Sequence, residues 1–154
     1  KVLQDVKNPK FVAIDTMSGE LEVVNAGHPP AFAVSPDGRV RQLQSERNVA
    51  LGMMETRMEM ERSMLIGNEL LVLYSDGLTE MVDENQVALG EERLSAHLAD
   101  IVQREPHATV EEYRERVLQR LTAYRGSQLA TDDSTFLVAR RPYFPRHGGR
   151  MYEI

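Results

Sequence analysis

The chain has 154 residues, 42% of them hydrophobic and 27% charged, with a formal net charge of −6 and no cysteine. That size and balance suit one globular domain with a real core. They exclude disulfides, thiolate metal sites and a cysteine nucleophile, and the acidic balance argues against a general nucleic-acid binder, whose footprint is a basic patch.

No apolar run approaches the roughly 18 residues that would span a membrane, and no secretory signal opens the chain at Lys1. The expectation is a cytoplasmic protein with neither nucleic acid nor membrane as partner. The first residue is Lys and not Met, as in a fragment or a processed chain.

In chain order, FVAIDT (11–16), LEVVNAG (21–27), AFAVS (31–35) and RVRQL (39–43) read as strands, with MSGE and PDG as turns between them. Such runs, punctuated by Gly, Pro, Asp and Ser, predict antiparallel hairpins. TRMEMERSML (56–65) alternates with period two. Met58, Met60, Arg62 and Met64 fall on one side, and Glu59, Glu61, Ser63 and Leu65 on the other. IGNE turns the chain into LLVLYS (70–75), the most apolar strand. The period then changes. Leu94, Leu98, Ile101 and Val102 form a helical stripe, and Thr109 with Glu112 makes a capping-box pattern. Val110, Tyr113, Val117, Leu121 and Tyr124 mark one face of a second helix, which stops at Gly126. FLVA (136–139) is a last buried strand, and residues 142–154 are a tail. Strands, two helices and one more strand predict an α+β fold with a largely antiparallel sheet.

Two acid clusters sit at strand ends. Asp76-Gly77-Leu78-Thr79-Glu80 follows LLVLYS, and Thr131-Asp132-Asp133-Ser134-Thr135 precedes FLVA. If the two strands are antiparallel neighbours, Asp76 and Asp132 converge at one rim, and Gly77 lets the chain turn there with an accessible carbonyl. Converging carboxylates repel, and neither stretch carries a Lys or Arg to relieve them. A hard divalent cation would, since Mg²⁺ and Mn²⁺ take carboxylates, carbonyls and waters. The plainer reading stands beside it: Asp-Gly after a strand is a common turn, and Asp132 can cap one.

NAGHPP (25–30), ALG (50–52), LLVLYSDGLTE (70–80), LGEERL (89–94) and TDDSTFLV (131–138) occur in the order found in bacterial PPM-type (PP2C-like) serine phosphatases of the SpoIIE and RsbU kind. The chain resembles that family over roughly residues 10 to 140. The resemblance implies a mostly antiparallel β-sandwich flanked by helices, with a Mn²⁺ or Mg²⁺ centre at one end. It implies metal-binding roles for Asp76, Gly77 and Asp132, and a looser metal contact for Glu80. Asp133, Asn25 and His28 would support the ligands or the loop around them, His28 as a candidate acid and Asn25 by orienting a water or a loop carbonyl. Metal-activated water would attack phosphoserine or phosphothreonine on a regulatory protein of the anti-sigma-factor antagonist type, with no protein nucleophile.

One departure matters. The family's upstream Gly-Asp strand has no counterpart between Lys1 and Asn25. The expectation is therefore that residues 1–141 are the C-terminal portion of a longer phosphatase domain, incomplete at its N-terminus, or a shortened relative. The alternative function is a catalytically inactive, phosphatase-like interaction module. An incomplete sheet also leaves an edge on which a second copy could add a strand, giving a homodimer. The dense methionines from Met53 to Met64 read as core packing or loop cover. Arg140, Arg141, Arg146 and Arg150 read as a solvated tail before a phosphate site.

Overall fold

A computed structural model describes residues 10–43, 58–129 and 133–141. The elements are β1 (Lys10–Ile14), β2 (Glu20–Asn25), β3 (Ala31–Val34), β4 (Val40–Leu43), β5 (Glu61–Met64), β6 (Leu70–Tyr74), α1 (Asp76–Thr79), α2 (Gly90–Arg104), α3 (Val110–Arg125) and β7 (Phe136–Arg140). All strand pairs are antiparallel, in two sheets ordered β1-β2-β5 and β4-β3-β6-β7. This is the α+β, antiparallel architecture that the strand and helix periods predict, in the sandwich form that the family resemblance implies. Among the described residues, no helix is long and apolar enough to cross a membrane.

Two apolar layers hold it. Leu21, Ala31, Ala33, Leu43, Leu65 and Leu71 fill the space between the sheets. On the other face of the second sheet, Phe32, Leu70, Val72 and Tyr74 pack against Leu94, Leu98, Val102, Tyr113 and Val117 of the helices. β6 is thus covered on both sides, which is why it reads as a continuous apolar run and not as an alternation. Each fully buried Leu in these layers contributes roughly 1.5–3 kcal/mol. The capping box starts α3: Glu112 N–H donates to Thr109 Oγ1 at 3.2 Å and Thr109 N–H to Glu112 Oε2 at 2.7 Å.

The structure corrects three expectations. Met60 and Met64 are 44% and 50% exposed and do not pack in the core. The other parity of β5 turns inward because Leu65 is fully buried and Ser63 Oγ accepts from Arg41 at 2.8 Å. Met53 and Met54 lie outside the described residues.

Arg140 and Arg141 are not solvated. Arg140 donates to the Ala108 carbonyl at 2.7 Å and lies over the Tyr113 ring, while Arg141 bonds the carbonyls of Thr16, Met17 and Ser18. Arg146 and Arg150 fall outside the described residues. Asp76–Thr79, read as a turn, is one helical turn.

A buried carboxylate that the sequence did not single out ties the sheets together. Glu69 is 3% exposed and accepts from Arg41 (3.0 Å), the Ile66 amide (2.9 Å) and Ser35 Oγ (3.1 Å). Burial of this acid is tolerable because all three donors converge on it.

Candidate metal centre

β6 delivers the site. Its pairing with β7 ends at Tyr74↔Phe136, yet the contact runs on past the strands. Ser75 N–H donates to the Thr135 carbonyl at 2.9 Å, and Ser75 Oγ accepts from Thr135 N–H at 2.9 Å. The same Oγ stands 3.3 Å from the Asp133 carbonyl, and Ser134 Oγ donates to the Gly77 carbonyl at 3.0 Å. The Ser75-Asp76-Gly77 and Asp133-Ser134-Thr135 segments are therefore bonded to each other at one rim of the sandwich, as an antiparallel β6–β7 pair requires.

Gly77 is buried, but not for the sharp turn its sequence suggests. It lies inside α1, and its φ is not among the positive ones. A Cβ there would stand 2.5 Å from the Asp133 carbonyl oxygen, 3.1 Å from the carbonyl carbon and 3.2 Å from Ser134 Oγ. The glycine exists so that the two acid-bearing segments can touch.

Asp76 opens α1 with its side chain exposed, and its Oδ1 accepts from Gly77 N–H at 3.0 Å. Thr79 Oγ1 and the Glu80 amide both donate to the Asp76 carbonyl at 2.9 Å, fixing the turn. Glu80 and Asp133 are exposed at the same rim. Asp132 lies outside the described residues.

The NAGHPP loop crosses from β2 in one sheet to β3 in the other. Asn25 is 1% exposed and spends its whole amide on the loop: Nδ2 donates to the His28 carbonyl and Oδ1 accepts from His28 N–H, each at 2.8 Å. Gly27 supplies the positive φ of 87° that this tight turn needs. The antiparallel β3–β6 register, Phe32↔Val72, sets the start of β3, where the NAGHPP loop ends, toward the end of β6 that leads to Asp76; His28 is half-buried.

Lys10 was missed by the sequence reading. It pairs with Asn25 across β1 and β2, and its ammonium donates to the Pro29 carbonyl. Burial pushes it down to about 8, against a smaller opposing pull from Glu91 in the first turn of α2. The signal was there: period two puts Lys10 on the inward side of β1 with Val12, which packs into the core between the sheets. The Tyr74 hydroxyl is buried with no partner among the described residues, and burial first, then Glu91, pushes its phenol up.

Asp76 and Glu80 enter no ion pair among the described residues. Exposed carboxylates beside a backbone carbonyl fit Mn²⁺ or Mg²⁺ in chemistry. Among the described residues no three acidic or histidine side chains gather closely enough to form a full ligand set.

Residues 10–142 match the family described as stage II sporulation protein E, SpoIIE. The chain belongs to the SpoIIE family. It is 28% identical over 132 residues to Protein IcfG of Synechocystis, a match covering 85% of this chain and 20% of that protein. It is 26% identical over 130 residues to the phosphoserine phosphatase RsbP of Bacillus subtilis, covering 83% of this chain and 29% of that one. The solved RsbU and RsbW domains of a Mycobacterium tuberculosis protein superpose with a TM-score of 0.74 at 23% identity, over 92% of this chain and 38% of theirs. The chain thus spans less than a third of the curated relatives. SpoIIE membership confirms the PPM-type, PP2C-like resemblance that the five motifs carry, and places the joined Asp76 and Asp133 segments in a phosphatase-family fold.

Proposed function

We propose that the chain is the C-terminal portion, residues 1–141, of a PPM-type domain that hydrolyses phosphoserine or phosphothreonine on a bacterial regulatory protein of the anti-sigma-factor antagonist type. The observation that carries this is the direct bonding of the Asp76-Gly77 segment to Asp133-Ser134 across the end of β6 and β7. The relationship to a phosphoserine phosphatase of Bacillus subtilis and the small share of it that the chain spans support the reading.

Asp76, the Gly77 carbonyl and Asp132 are the residues that would hold Mn²⁺ or Mg²⁺, with Glu80 as a looser contact. Such an ion, when bound, supplies Lewis-acid activation of water for in-line attack on phosphorus. The remaining work belongs to the chain. Ser75 and Ser134 bind the two acid-bearing segments together. Gly77 permits their approach. Asn25 fixes the backbone of His28, and an imidazole there is suited to proton transfer near neutral pH.

A second reading, resting on the lack of a Gly-Asp motif between Lys1 and Asn25, is an inactive interaction module with the same fold. Titration calorimetry of the chain with Mn²⁺ tests the centre: micromolar binding supports an assembled one, and millimolar or no binding an incomplete one. In the phosphatase reading, Asp76→Asn and Asp132→Asn in the complete domain each abolish Mn²⁺-stimulated phosphate release from a phosphoserine peptide. Unchanged turnover in either variant refutes the role given to it.

A further inference from the structure

The NAGHPP loop is held at two points. Asn25 closes its first turn from within. The second hold comes from outside the loop, where the Lys10 ammonium on β1 reaches the Pro29 carbonyl. A lysine bonded to a backbone carbonyl is an ordinary surface feature. A lysine pointed inward from a strand of a sandwich is not, because desolvating its charge works against folding.

The sign of that cost is informative. The folded-state pKa lies below the ordinary value of 10.5, at about 8. Between those two values the unfolded chain binds more protons, so stability rises with pH across the window, and below it the full cost is carried. Glu91 is the charge that faces Lys10, and its pull is smaller than the desolvation. At neutral pH Lys10 is therefore charged at the expense of stability. Residues of that kind are kept where they do work on a site.

We propose that Lys10 is a positioning residue, its ammonium holding the Pro29 carbonyl so that the NAGHPP loop keeps the backbone course that carries His28. The kinetic part of this inference rests on the phosphatase reading; the structural part does not. Lys10 acts through the loop and touches no reacting atom. Its charge is what matters, so an arginine serves in its place and a methionine of similar bulk does not.

The test uses the chain with Lys10→Met and Lys10→Arg. In Lys10→Met at pH 7, the thermal midpoint holds or rises, while backbone amides 26–28 exchange with deuterium about tenfold faster, as expected for loss of one charge-assisted bond. Lys10→Arg restores the protection. In the unsubstituted chain, protection corrected for intrinsic exchange weakens as the donor loses its charge with pH rising through about 8; in Lys10→Arg it persists. Phosphatase kcat/KM of the complete domain carrying the same substitutions follows the same order, with an alkaline decline that Lys10→Arg lacks. Unchanged exchange at 26–28 in Lys10→Met overturns the proposal. A complete domain with no Mn²⁺-stimulated turnover overturns the phosphatase reading instead, and leaves the exchange comparison to decide the role of Lys10.

Discussion

Gly77 shows at the scale of one residue how the site constrains the sequence. Its neighbours on both sides tolerate side chains, and its backbone lies in an ordinary helical turn. What it lacks room for is a Cβ, because the Asp133 carbonyl oxygen would be 2.5 Å away, and that oxygen is backbone that cannot swing aside. Gly77→Ala therefore has to push the Asp133-Ser134 segment outward. Overpacking of this kind costs typically 1–3 kcal/mol; here about 2 kcal/mol is expected, together with loss of the Ser134 hydroxyl bond to the Gly77 carbonyl. Urea unfolding measures the first, and Mn²⁺ affinity of the variant measures the second. A variant as stable as the parent with unaltered Mn²⁺ affinity would mean that the two segments do not need their close approach.

At the scale of elements, the helices were the most legible part of the chain. Leu94, Leu98, Ile101 and Val102 recur with helical spacing and all four are buried, and the Thr109–Glu112 box sits where the pattern put it. Strand boundaries were legible to within a residue or two where Gly, Pro and Asp mark the turns, but β5 begins at Glu61, well inside the alternating run of 56–65. The outward face of β5 was not, because methionine is apolar and adaptable, and period two gives the alternation without its sign. The strand ends alone brought the Asp76-Gly77 segment and the cluster before β7 to one rim, while Asp132, the acid expected to converge on Asp76, lies outside the described residues. Lys10 was legible only as the inward parity of β1 and Glu69 not at all, since what defines Glu69 is burial, which depends on how the sheets stack.

The α2–α3 interface carries a pH response that follows from one such burial. His97 on α2 is partly buried, its Nδ1 has no partner among the described residues, and its ring meets Tyr124 of α3 edge-on at 6.3 Å. Burial first, then the Arg120 charge, pulls its pKa below 6.5, with Asp100 opposing. The unfolded chain therefore takes up a proton at higher pH than the folded one, and stability falls as pH drops below about 6.5. His97→Gln removes that term. Thermal midpoints measured from pH 7.5 to 5 are expected to fall less steeply in His97→Gln than in the parent, and parallel profiles would rule the effect out.

The whole molecule is a sandwich with two different ends. At one end β6 emerges into Asp76 and meets the NAGHPP loop. At the other, the turn before β6, the β1–β2 turn and the end of β7 are drawn together. Arg141 does the joining there: its guanidinium bonds three successive carbonyls, Thr16, Met17 and Ser18, more than 120 residues away in sequence. The turn it grips needs Gly19, where a Cβ would stand 2.5 Å from the Arg141 Nη1 and 2.6 Å from the Leu65 carbonyl oxygen. This clamp links the first sheet to the last strand of the second, so its loss acts on the fold and not on the rim at the far end of β6. Arg141→Met is expected to lower stability by about 2 kcal/mol, as for bonds from a charged donor, with Mn²⁺ binding unchanged. Denaturant midpoints and calorimetry on the same sample test both halves: a shifted midpoint with intact Mn²⁺ affinity separates clamp from site, and an altered affinity would show that the two ends of the sandwich are coupled.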